Sequence, residues 1–268
     1  MSDHTFAKRF DPRSKSGRGI VSPLFKSRRF GYTIGINPLG NTGKVCSYNC
    51  QYCGLGPTLL RLGHIRGAVE FPSVEEIVTA LRTTIEASAS DQPEIQTLSL
   101  QGYGEPTLYP FFPELVDALL DLKTQIVPRA KVNLITNAMQ FDKKKIKLAA
   151  QKLDQVVAKI DAGNDEVLKK INNPLVRVTA DIISSNLRGF EQLAVQAYFL
   201  KGSIDNTSHE CIEDWLELVG MVGPHKIFIS SIRAVPGHPE LLPVEEDRLF
   251  HIAQKLQRKS RYEVLVVS

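Results

Sequence analysis

Short apolar stretches rich in β-branched residues recur along the chain at Thr33–Asn37, Ile95–Gln101, Lys131–Thr136, Gln155–Asp161, Leu193–Leu200, Lys226–Ile232 and Glu263–Val267. Between them the apolar positions change to helical spacing. Ser73 followed by Glu76 opens one such segment as a capping box, and Ile77, Ala80, Leu81 and Ile85 continue it on one face. Further helical patterns cover Phe112–Leu122, Lys143–Lys152, Val178–Phe190, Cys211–Met221 and Glu245–Lys259. Strand followed by helix, repeated, predicts an α/β fold with a parallel sheet and right-handed crossovers.

Polar residues inside the strands say more about the sheet. Thr97, Ser99 and Gln101 alternate with Leu98 and Leu100; Asn133 and Asn137 alternate against Val132 and Leu134. Lys159 and Asp161 lie opposite Val156, Ala158 and Ile160, and Gln196 and Tyr198 lie opposite Val195, Ala197 and Phe199. Successive side chains point to opposite faces of a strand, so each strand has one apolar face and one face carrying polar groups. Helices cover the apolar face. The polar face needs partners or a ligand, because buried unpaired polar groups are costly. A curled sheet with a polar lumen meets that need; mutual pairing in a closed core is the other solution.

A length of 268 residues suits one domain, read here as residues 21–268 behind a basic arm, residues 1–20. No apolar run approaches the roughly 20 residues that span a bilayer, and Met1–Arg18 lacks a secretory apolar stretch, so no membrane contact and a cytoplasmic location are expected. The net charge of +4 is concentrated near the N-terminus, where residues 1–30 hold eight Lys or Arg against Asp3 and Asp11. Two readings of that arm stay open: a solvated tail, or an attractor of phosphates and nucleic acid.

Three of the four cysteines fall within eight residues, as Cys46-Ser47-Tyr48-Asn49-Cys50-Gln51-Tyr52-Cys53, directly after the first predicted strand. Clustering of this kind argues for metal chemistry rather than a disulfide framework. Thiolates favour iron–sulfur clusters, zinc or Cu(I). A closed zinc site would need a fourth ligand from elsewhere, such as His64 or Cys211, and an ordinary 4Fe–4S site also takes four cysteines. Three local thiolates leave one metal position open to a substrate. Cys211 stands alone and reads as a small buried residue.

The C-x3-C-x2-C spacing with Tyr52 before the last cysteine resembles the signature of the radical S-adenosylmethionine (SAM) superfamily. Leu98-Ser99-Leu100-Gln101-Gly102-Tyr103-Gly104-Glu105-Pro106 is similar to that superfamily's Gly-Gly-Glu segment, with Tyr103 as a departure. The resemblance implies a partial (β/α) barrel of about six parallel strands, helices outside and the cluster loop after the first strand. It implies a 4Fe–4S cluster on Cys46, Cys50 and Cys53, whose open iron is chelated by SAM. One electron then releases a 5′-deoxyadenosyl radical that removes hydrogen from a substrate. Tyr52, Gly102, Gly104, Glu105 and Asn137 become cofactor-binding candidates, with Glu105 and nearby backbone on the methionine amino group. A reductant such as flavodoxin or ferredoxin is implied as partner.

A narrower resemblance rests on Ser27–Asn37, Ile135–Ala138, Lys159–Gly163 and Ile232–Gly237, which are similar to iron–sulfur oxidoreductases related to the wyosine-forming tRNA enzymes. It favours tRNA as substrate; a small molecule is the other class. These 268 residues hold no second cysteine cluster, which speaks against a reaction needing an auxiliary iron–sulfur site, including the wyosine-type condensation. Lys159 and Asp161 are catalytic candidates. Lys159 fits a substrate-carboxylate partner, a proton donor or a Schiff-base nucleophile, and equally a structural partner of Asp161. Arg28 and Arg29 suit a phosphate or carboxylate, or packing of the N-terminal segment. The competing functional class is a cluster-binding regulatory or structural metal protein without catalysis.

Overall fold

The computed structural model describes residues 19–40, 43–58, 70–88, 93–232, 239–259 and 262–267. His64, residues 1–18 of the basic arm and residues 233–237 of the last subgroup segment lie outside them. Gly19 and Ile20, the end of the arm, are buried.

Seven strands run parallel in chain order: β2 (Gly31–Ile36), β3 (Thr97–Leu100), β4 (Lys131–Thr136), β5 (Gln155–Lys159), β6 (Leu193–Gly202), β7 (Lys226–Ser231) and, at the far edge, β9 (Glu263–Val266). The resemblance implies about six parallel strands, and seven are present among the described residues. Two short strands escape the sequence pattern. β1 (Phe25–Ser27) folds back antiparallel on β2, and β8 (Leu241–Pro243) pairs antiparallel with β6. The cysteine loop therefore follows the first parallel strand, the second in chain order.

Helices α1 (Val74–Ala87), α2 (Phe112–Ile126), α3 (Lys144–Ala150), α4 (Asp165–Asn172), α5 (Ala180–Leu187), α6 (His209–Val222) and α7 (Glu246–Lys259) make the crossovers. The capping box of α1 forms as read: Ser73 Oγ accepts from Glu76 N at 3.1 Å and the Glu76 carboxylate accepts from Ser73 N at 2.8 Å. The main core lies between these helices and one face of the sheet, where Ile34, Leu98, Leu100, Val132, Leu134, Val195 and Ile227 are buried.

The other face forms a lumen. Near the N-terminal ends of the strands it is apolar, with Val157, Ala194 and Phe228 packed against Phe30 and Ile135. Phe30 belongs to the turn between β1 and β2, yet its ring meets Phe228 of β7 edge-on with centroids 5.6 Å apart. Arg29, beside it, donates from Nη1 to Gln196 Oε1 on β6. Such contacts between one end of the strand order and the other require a strongly curled sheet. β1 and β9 have no strand pairing with each other, so the barrel is partial. Among the described residues no helix is long and apolar enough to cross a membrane.

Candidate active site

The cysteine loop is held on two sides by backbone. On one side Val45 N donates to Tyr103 O at 2.9 Å and Glu105 N donates to Val45 O at 2.8 Å, so Val45 pairs with Gly104 as an isolated parallel bridge. Gly104 has φ of +140°, and a Cβ there would run into the Val45 carbonyl. A Cβ on Gly102 would strike Asn37, whose buried amide joins Gly19 and Gly40 carbonyls to the Leu39 and Tyr103 N–H groups. The two glycines are thus explained first by close docking of the cysteine loop, while both also line the cavity described next. On the other side the loop rests on the end of α4: Asn49 N donates to Asn172 O at 3.0 Å, Gln51 N to Ile171 O at 2.8 Å, and Leu175 N to Ser47 O at 2.9 Å.

This clamping turns Cys46, Cys50 and Cys53 toward one cavity at the C-terminal ends of the strands. Tyr52, Gly102, Gly104, Glu105, Asn137 and Lys159 line the same cavity. All three thiols are free and partly buried. Cys46 Sγ accepts from Tyr48 N at 3.4 Å, and Cys50 Sγ accepts from Asn172 Nδ2 at 3.3 Å. Burial, then the neighbouring Cys50 and Glu105, pushes the Cys46 thiol far up; burial, then Asp161 and Cys53, pushes Cys50 up to about 11. Three crowded, desolvated thiolates need positive charge. Lys44, itself 4% exposed, supplies one cation near Cys46 and Cys50. Cys211 lies apart, lining a different recess beside Asp205 and Asp214.

The donor set fits an iron–sulfur cluster: soft sulfurs, N–H groups aimed at two of them, and glycines that let the backbone approach. Among the described residues no group of three or more His, Cys, Asp and Glu is arranged around a single metal ion. Tyr48 adds a second sign of a polar occupant. It lines the cavity, its hydroxyl is buried, and that oxygen has no hydrogen-bond partner among the described residues. Burial and then Cys50, Asp161 and Glu105 hold its phenol well above the usual range, so the group stays an O–H donor.

Glu105 is 2% exposed at the end of β3. Its Oε1 accepts from Thr107 N at 3.2 Å, Thr107 Oγ1 at 2.6 Å and Thr136 Oγ1 at 2.7 Å. Its Oε2 accepts from Asn137 N at 2.7 Å. Burial still outweighs these bonds and raises its pKa. Asn137 Nδ2 donates to Ser47 Oγ at 2.8 Å, which ties β4 to the cysteine loop. The following residue, Ala138, has φ of +64°, an uncommon conformation for a residue with a Cβ.

Lys159 and Asp161 take different places. Lys159 stands in the cavity wall, its ammonium 3.9 Å from the centroid of the Tyr198 ring and 5.3 Å from that of Tyr52. Asp161 lies behind it with its side chain sealed from solvent. Four donors surround the Asp161 carboxylate: Lys159 Nζ at 3.1 Å, Tyr198 N at 2.8 Å, Asn172 Nδ2 at 2.8 Å and the Tyr52 hydroxyl. Asp161 therefore orients Lys159 and Tyr52, and does not itself line the cavity. Gly163 of the same segment has its own packing reason, since a Cβ there would enter the α6 backbone at Asp214.

Sequence reading missed Asn172 and Ser47. Asn172 sits at the end of α4, whose start carried a readable signal: Asn164 as cap, Asp165 and Glu166 in the first turn, and Lys169 and Lys170 in the last.

The family model described as the radical SAM superfamily matches residues 41–184. The UPF0026 protein of Helicobacter pylori is 27% identical over 200 residues, which cover 73% of this chain and 61% of that protein. The UPF0026 protein of Methanocaldococcus jannaschii is 27% identical over 222 residues, covering 81% and 64%. The chain spans less than two thirds of the length of these relatives. Among solved structures, a radical SAM methyltransferase from Sphaerobacter thermophilus superposes with a TM-score of 0.70 at 15% identity, over 95% of this chain and 71% of that one. TYW1 with a lysine–pyruvate adduct bound superposes with a TM-score of 0.65 at 16% identity, over 98% and 83%. At such identities the likeness is one of fold.

Proposed function

The chain belongs to the radical SAM superfamily, whose members use a 4Fe–4S cluster and SAM, and on that premise we propose that Cys46, Cys50 and Cys53 hold such a cluster for hydrogen abstraction from a substrate in the barrel lumen. The observation that carries this reading is one cavity lined together by three thiols, Glu105 and Lys159. When bound, the cluster and SAM supply a 5′-deoxyadenosyl radical after one electron arrives from a flavodoxin- or ferredoxin-type donor. The chain's own residues bind and orient. Glu105 and the Gly102–Gly104 backbone face the methionine ammonium, and Tyr48 offers its unpartnered O–H to SAM. Asn137 faces the ribose or the methionine carboxylate. Tyr52 and Tyr198 hold Lys159 in place beside the substrate, and Asp161 fixes its direction.

Anaerobic reconstitution tests this reading. About four iron and four sulfide per chain are expected, with 5′-deoxyadenosine formed on reduction in the presence of SAM. Replacing any one of Cys46, Cys50 or Cys53 by Ala should lose the cluster, and Cys211→Ala should keep it. One zinc per chain without sulfur–iron absorption rejects the proposal. A full cluster that never yields 5′-deoxyadenosine identifies a cluster carrier without catalysis. For the substrate, salt-dependent tRNA binding separates a nucleic-acid target from a small molecule.

A further inference from the structure

The cysteine loop buries a lysine. Lys44 is 4% exposed and stands just before Val45, the residue bridged to Gly104. Its ammonium donates to the Gly56 carbonyl at 3.0 Å, and Gly56 N in turn donates to Cys53 O at 3.0 Å. The side chain therefore reaches across the loop, from before the first cysteine to just past the last. Among the described residues no carboxylate comes within ion-pairing distance of it. Nor is Lys44 among the residues that line the cavity faced by Cys46, Cys50 and Cys53, so it stands behind the loop. A buried ammonium with one neutral partner is costly unless negative charge lies near it. The negative charge at hand is the loop's own sulfur. Lys44 acts on both Cys46 and Cys50, against Glu105 beside the first and Asp161 beside the second. Glu105 and Asp161 are themselves engaged by other donors.

We propose that Lys44 is a positioning residue for charge: its buried ammonium is the fixed counter-ion of the iron–sulfur cluster, and it raises the cluster's potential so that a flavodoxin- or ferredoxin-type donor can reduce it. Three thiolates outweigh the positive charge of a 4Fe–4S core, so the assembly is anionic, and it gains one more negative charge on reduction. A cation held nearby in a desolvated place favours the more negative state. One electron leaves the donor and enters the cluster in this step, and no bond forms or breaks. The inference rests on the cluster reading given above, and iron content in the parent protein judges that reading separately.

The test is an anaerobic redox titration of the reconstituted full chain, followed by electron paramagnetic resonance, at equal iron content. Lys44→Met removes the charge and should make the midpoint potential more negative. At a fixed poise the ratio of reduced to oxidised cluster should fall about tenfold, a shift of about 59 mV for one electron. Lys44→Gln also removes the charge but keeps an N–H donor for the Gly56 carbonyl, so it reports on charge even where the methionine variant takes up no iron. It should shift the potential in the same direction. Lys44→Arg keeps the charge and should hold the potential closer to that of the parent than either neutral variant does. A parent-like potential in the neutral variants overturns the proposal. So does a potential in Lys44→Arg as low as theirs. Loss of iron from both neutral variants overturns it too, since Lys44 would then be a strap that holds the loop together. A parent protein that takes up no iron would instead reject the cluster reading itself.

Discussion

Tyr48 and Glu105 are both buried polar residues in the cavity wall, and they answer opposite questions. The Tyr48 hydroxyl has no partner, so its desolvation is uncompensated in the protein alone. Tyr48→Phe should leave the stability of the cluster-free protein unchanged or raise it slightly, as urea unfolding would show. The same change should weaken SAM binding to the reconstituted protein by about tenfold, the size of one hydrogen bond. Glu105 already accepts from four protein donors, three at Oε1 and one at Oε2. Glu105→Gln puts an N–H2 where a donor already points, so about 1–3 kcal/mol of stability should be lost before any ligand is added. A Glu105→Gln protein as stable as the parent would show that this network is looser than described. The motif made Glu105 legible as a residue facing a ligand ammonium. Its four partners were not legible, because Thr136 and Asn137 reach it only once β3 and β4 are paired. The depth of Asp161 was hidden for the same reason: alternation along β5 reports a face, and only packing of Tyr52 over it reports burial.

At the scale of elements, the seven parallel strands were readable because each is a run of apolar residues set off from the next by a helical pattern. The three-residue strands β1 and β8 carry no period to read, and α4, with eight residues, was lost between two stronger signals. Those omissions matter, since the turn after β1 carries Arg29 and α4 presents Asn172. Helix α4 is a bracket for the cysteine loop, receiving backbone bonds from Asn49 and Gln51 and sending one side-chain N–H to Cys50 Sγ. Hydrogen bonds to ligating sulfur stabilise the more negative, reduced state of a cluster and so raise its potential. Asn172→Ala should therefore lower the midpoint potential of the reconstituted protein, measured by redox titration, with iron content close to that of the parent. An unchanged potential would mean that Asn172 acts only through Asp161.

For the whole molecule, the open barrel raises the question of what makes its two sides move as one. Below, Phe30 on Phe228 and Arg29 on Gln196 close the curl. Above, the cysteine loop links the β3 end to the α4 end through backbone bonds at Val45, Glu105, Asn49, Gln51 and Leu175, with side-chain bonds from Asn137 and Asn172 beside them. Three thiolates would repel one another in the middle of that link, and burial, with neighbouring negative charge, already raises the thiols of Cys46 and Cys50. Binding a cationic cluster removes the repulsion and ties the sulfurs into one rigid body. Because ligation favours the closed loop alone, its free energy adds to the cost of opening the link, about 2.7 kcal/mol when the occupying group is at a hundred times its dissociation constant. Amide hydrogen exchange reads this directly. On cluster loading, the amides of Val45, Asn49, Gln51, Glu105 and Leu175 should slow together by about a hundredfold, while those of β7 at the lower closure change much less. Protection limited to Cys46–Cys53 would show that the loop is ligated without coupling its two supports. A uniform slowing over the whole sheet would show that the cluster stabilises the fold globally. Either result would exclude the cysteine loop as the specific joint between the two sides of the barrel.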